Sequence, residues 1–335
     1  MTLRSRLFNF VLKIFSLLPS ALTLLPYLLL ASLTRFLIKQ KQLQIWLRNS
    51  LKEKNIVPGL SDLDFTLYLA GPLMKQENKR IVKRYNLIHK FFPLLGEINF
   101  YQADEVTLFS SLANPLELKR DPDLLEKIST PVRDQTLQSD LVFIIHILFS
   151  DFDNLKKRFS LRRKKWQRHL ERLSIPLSLE SIHSIEDLLE LFDRELFDKV
   201  SRNEFKRFLI RYQQFNFKAA NSMNRFYEGV IHVKSFILLA PSKWIGASLD
   251  SGEFEMDCEL IRNFSELEQK IYVEQINWEI WGLFSQYRVT MEELDLHIHL
   301  GNLKKTLDCI KDVDTSSLQE KMDQLVSLQE KYYRQ

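Results

Sequence analysis

Residues 61–69, SDLDFTLYL, alternate along their whole length. Leu63, Phe65, Leu67 and Leu69 fall on one side of an extended chain, and Asp62, Asp64, Thr66 and Tyr68 on the other. Period-two patterning of this kind predicts a β-strand with one face in a core. It also puts two carboxylates on one face, about 6.6 Å apart along the chain. Like charges at that spacing repel, and strands disfavour Asp. A divalent cation, which prefers hard carboxylate oxygens, is the candidate that would offset the cost.

Two other segments share the pattern. LQIWLRN (43–49) alternates, and GEINFY (96–101) sets Glu97, Asn99 and Tyr101 opposite Ile98 and Phe100. Between them QENKRIVKRYNLIHKFF (76–92) repeats Ile81, Tyr85, Ile88 and Phe92 at helical spacing. These segments predict a small mixed sheet in which 62–68 is central, flanked by 43–49 and 97–102. Beyond about residue 110 strand signals fade. TLQSDLVFIIHILFSDF (136–152) reads as a buried helix, and the last helix falls near 316–333 with Ser316 or Ser317 as its N-cap. Only 8 glycines in 335 residues agree with a chain that is mostly helix. The expected fold class is α+β: a sheet core over 1–115, including apolar N-terminal helices in 1–40, then an α-helical domain over 116–335.

Charge narrows the partners. A net charge of +4 suits a phosphate-bearing ligand and does not demand nucleic acid. Residues 155–172 hold nine Lys or Arg, but 180–198 hold seven Asp or Glu against one Arg, which suggests a solvated face or a helix partner. With no RNA-binding module in view, nucleic acid is not expected as a partner. Cys258 and Cys309 are too few for a disulfide framework or a zinc site and fit a reducing compartment, so the expected location is cytoplasmic. Residues 14–34 carry no charge and are long enough to cross a bilayer. Pro19 and Pro26 divide that run, so helices packed on the sheet are expected, with membrane contact through 1–40 as the other reading.

Taken together, RNSL (48–51), an eleven-residue spacer from Ser50 to Asp62, SDLDF (61–65) and GEINF (96–100) form a pattern. It resembles that of the DNA polymerase β-like nucleotidyltransferase superfamily: an apolar residue, Gly, then Gly or Ser; a spacer; paired acids in a strand; and a third acid on a following strand. The resemblance covers about residues 35–105. It implies that Asp62 and Asp64 bridge two Mg²⁺ ions, with Mn²⁺ as a substitute, and that Glu97 holds the catalytic ion and accepts a proton. It implies a nucleotide-binding role for Asn49, Ser50 and Ser61, whose backbone and hydroxyl groups would cradle phosphates. Asn49 stands where the family has Gly; Asn tolerates left-handed backbone better than most residues. Residues 205–236, rich in Lys, Arg and aromatic side chains, are the candidate helical wall of the cleft, with Lys218 and Arg225 as nucleotide-binding cations. The implied reaction moves a nucleoside monophosphate from a Mg-bound NTP, ATP by default, to a hydroxyl on a small molecule or a protein.

Overall fold

The structure is a computed structural model that describes residues 22–40, 42–48, 61–71, 75–92, 94–129, 131–143, 261–287 and 293–333, with a few short pieces that include Cys258. Asn49, Ser50, Lys218, Arg225 and the charged runs of 155–172 and 180–198 lie outside these residues, save for isolated positions.

Helix α1 spans Leu25–Ile38, with Pro26 in its first turn, where the missing N–H costs nothing, and Arg35 in its last. Strand β1 spans Leu43–Arg48 and β2 spans Leu63–Leu69. Helix α2 (Lys75–Phe91) crosses over to β3 (Leu95–Gln102). Among the described residues the sheet has three strands in the order β1-β2-β3. β1 pairs antiparallel with β2, and β2 pairs parallel with β3. The sheet is therefore mixed and β2 is its central strand, as the alternation predicts. A parallel neighbour requires a crossover, and the amphipathic 76–92 segment supplies it.

The two faces of the sheet enter different cores. Leu63, Phe65, Leu67 and Leu69 share one cluster with Tyr27 and Leu30 of α1 and with Ile81 and Tyr85 of α2. Tyr101, with Trp46 and Tyr68 packed at its margin, belongs to a second cluster on the opposite face. That cluster is built from helices: α3 (Val106–Leu112), α4 (Pro115–Lys119), α5 (Pro122–Leu125), α6 (Glu266–Gly282), a π-helical turn (Leu283–Tyr287), α7 (Glu293–Asp308) and α8 (Ser316–Tyr333). Phe109 of α3 packs against both Tyr101 and Phe284, which seats β3 on the π-turn. Arg133 ties the loop before residue 137 to α6: its guanidinium donates to both carboxylate oxygens of Glu274, one at 2.7 Å, and to the Ala113 carbonyl at 2.9 Å. The helices after β3 thus cover the Asp64 face, and the N-terminal helices cover the other.

One expectation changes. Cys258 and Cys309, both buried, are joined in a disulfide with their Cα atoms 5.3 Å apart. Their separation of 51 residues gives no local sign of that meeting, and the cysteine argument for a reducing compartment falls with it. In the N-terminal region, no helix among the described residues is long and apolar enough to cross a membrane. Instead α1 lays Tyr27, Leu30, Ala31, Thr34 and Ile38 against the protein.

Candidate functional site

The site forms where β2 begins. Ser61 is buried, Asp62 is half-buried and Asp64 is 9 % exposed. Leu63 between them lies on the apolar face, so the strand pleat puts both acids on the same side. The neighbouring strand is irregular at this level. Leu63 pairs with Leu95 but Phe65 pairs with Ile98, so two residues of β3, Gly96 and Glu97, stand against Asp64 alone. Such a bulge bends its strand and re-aims what it carries.

Gly96 shows how close the approach is. A Cβ built on it would collide with the Asp64 carboxylate and lie 2.8 Å from Asp62 Cβ and 3.2 Å from Asp64 Cγ. One point on β3 therefore touches both acids, and only glycine leaves room for them. The start of β3 is itself held: the Tyr85 hydroxyl of α2 donates to the Gly96 carbonyl at 2.8 Å, and the Leu63 N–H donates to the Leu94 carbonyl at 2.8 Å. The third acid of the sequence pattern, Glu97, sits in β3 beside this point; its side chain lies outside the described set. Its competitors Asp104 and Glu105 are in the turn after β3, Asp104 exposed and Glu105 buried at the head of α3.

Arg48, the last residue of β1, is buried and pairs directly across from Asp64. The sequence reading did not weigh it. The signal was present, since a strand ending in Arg beside one opening in Asp is a cross-strand charge pair, but it needs the register to be seen.

Deeper on the same face lies a buried polar group. The Thr66 hydroxyl donates to the Asp121 carboxylate, whose other oxygen accepts from the Leu124 N–H at 3.2 Å and so caps α5. Burial pushes the Asp121 carboxyl above the usual carboxylate range, while the Thr66 hydroxyl and the Arg48 charge pull it down. Burial also raises the Tyr101 phenol, again opposed by Arg48, and the Asn99 amide donates to the Tyr101 oxygen at 3.3 Å. Asp121 is a residue the sequence reading missed. Asp before Pro at a helix start is a legible cap, but its reach to Thr66, 55 residues away, is not.

What this arrangement can do follows from its donors. Asp62 and Asp64 offer hard oxygens on one face, and Gly96 keeps the space beside them clear; that set suits Mg²⁺ or Mn²⁺. Among the described side chains no three of His, Cys, Asp and Glu gather into one cluster, a set to which Glu97 does not belong. Asp64 and Arg48 together make the site electrostatically mixed, with a buried cation at the β1 edge. Compared with known proteins, the chain matches no family model, no curated protein and no solved structure.

Proposed function

We propose that this chain is a nucleotidyltransferase that moves a nucleoside monophosphate from an NTP, with ATP the default donor, to an acceptor hydroxyl. The observation that carries the reading is the convergence of Asp62, Asp64 and Gly96 at the head of the central strand. Asp62 and Asp64 would hold Mg²⁺ with the nucleotide phosphates, and the bound ion would supply neutralising charge for the leaving pyrophosphate. In the transfer, the acceptor oxygen forms a bond to the α-phosphorus, and the bond from that phosphorus to the bridging oxygen breaks. Glu97 accepts the hydroxyl proton, and pyrophosphate leaves with the electron pair. Ser61, Asn49 and Ser50 would hold phosphate oxygens, and Lys218 and Arg225 would supply cations. A cytoplasmic location would follow from the NTP donor alone, since the Cys258–Cys309 disulfide argues the other way.

A second reading rests on Arg48. A buried guanidinium across from Asp64 can balance that carboxylate without any metal, as a structural ion pair in a binding or scaffold protein. Melting with Mg²⁺ or Mn²⁺ and each of ATP, GTP, CTP and UTP separates the two. The catalytic reading expects metal-dependent stabilisation that Asp62→Asn with Asp64→Asn abolishes. Without ligand the double variant is expected to be no less stable than wild type, because like-charge repulsion is gone. No stabilisation of the wild type by any pair, with strong destabilisation by Arg48→Met, would establish the second reading instead.

A further inference from the structure

Helix α1 is apolar on both sides. One stripe faces the sheet, and the opposite stripe, Leu25, Leu28, Leu29, Leu33 and Phe36, is exposed; Leu29 is 62 % and Phe36 is 77 % exposed. A helix apolar all round is ordinarily buried all round. Leu87, Phe91 and Phe92 at the end of α2, the helix that packs beside α1, are exposed too. Every large hydrophobic side chain exposed among the described residues falls within residues 10–92, most of them on these two helices. Exposed apolar side chains in this number on two packed helices mark an interaction face.

Charge says what meets it. Residues 1–52 contain eight Lys or Arg and no Asp or Glu. Arg35 and Lys39 are exposed on and just after α1. On α2, the exposed residues Arg80, Lys83, Arg84, Leu87 and Phe91 follow one helical stripe that begins basic and ends apolar. The Arg84 guanidinium donates to the Leu37 carbonyl at 3.1 Å, which keeps the cations and the apolar stripe in one surface. Two copies of such a face brought together would oppose like charges. A leaflet bearing anionic headgroups offers both what the apolar side chains and what the cations require. We infer that α1 and the end of α2 seat this protein on an anionic lipid surface, lying in the interface without crossing it. The inference is independent of the transfer reaction.

Vesicle co-sedimentation of the full chain tests it, with phosphatidylcholine alone and phosphatidylcholine mixed with phosphatidylserine. The full chain is expected to pellet with the mixed vesicles. Leu29→Asp with Phe36→Asp should lower partitioning more than about tenfold, because apolar groups that enter the interface become charges. The melting temperature should hold, since both side chains are exposed. Arg80→Gln with Lys83→Gln should cost about fivefold per charge on the mixed vesicles and leave binding to phosphatidylcholine alone unchanged. This pair decides the matter if the first variant fails to fold. Absence of vesicle binding by the wild type, or binding indifferent to the variants, overturns the proposal. So does self-association, seen by light scattering, that Leu29→Asp with Phe36→Asp abolishes in the absence of lipid, which would make a second copy the occupant.

Discussion

The two faces of β2 are buried almost equally and built on opposite terms. Leu63, Phe65, Leu67 and Leu69, all fully buried, share one core with apolar side chains of α1 and α2. Asp64 and Thr66, 9 % and 0 % exposed, meet Arg48, Gly96 and Asp121. The first face gains free energy simply by leaving water. The second must find a partner for every polar atom it removes from water. A strand that carries both teaches where to look for chemistry: the costly face is the one that stability alone would not build.

The comparison breaks first at Glu97. If the polar face is a working site, Glu97→Gln should lower turnover by about 10²–10⁴-fold, the usual worth of a positioned general base, with nucleotide binding largely kept. The exposed Asp104→Asn serves as control and should be near neutral. Labelled NTPs offered with cell extract as acceptor source give the readout. Unchanged labelling by the Glu97 variant would remove it from the site.

The apolar face should show no such split. Phe65→Ala is expected to destabilise by about 3–5 kcal/mol, the range for deleting a fully buried ring, and to reduce activity only as far as it unfolds the protein. Chemical denaturation and activity measured on the folded fraction check this. A variant that stays fully folded yet inactive would show that the two faces are not separable.

Gly96→Ala probes the seam between them. Its Cβ must displace the Asp64 carboxylate and press on Asp62. Metal-dependent stabilisation, about 2.7 kcal/mol at a hundredfold excess over Kd, should vanish, while stability without ligand falls less. Retained metal response in the alanine variant would mean that the acids do not act at this point.

The smallest effect concerns Asp121. Its carboxyl holds a proton more tightly folded than unfolded, because burial disfavours the charge. The folded state is thus favoured below the ordinary carboxylate pKa of about 3.9 and loses stability as pH rises from there through the higher folded value. Asp121→Asn keeps one acceptor oxygen, which can go on capping α5, while its amide can donate to the Thr66 hydroxyl, and it does not titrate. It should be no less stable than wild type at pH 7, with the difference shrinking on acidification. Urea unfolding across the acid range would show it, and a marked loss at pH 7 would mean that Arg48 needs the Asp121 charge.

What the sequence alone determined here is local. Alternation at 43–49, 62–68 and 96–101 specified three strands, and the apolar spacing at 76–92 specified the crossover helix. The same alternation put Asp62 and Asp64 on one face, since the pleat leaves them nowhere else. Tertiary structure decided everything that depends on who stands opposite. Strand register set Arg48 against Asp64, and a two-for-one bulge brought Gly96 to both acids. Packing carried Asp121 across 55 residues to Thr66 and joined Cys258 to Cys309 across 51. It also chose which apolar stripe of α1 turned inward, a choice that ten nearly interchangeable leucines and their neighbours in residues 14–37 leave undecided. Periodicity tells a residue which side it is on; only the assembled layers supply its partner there.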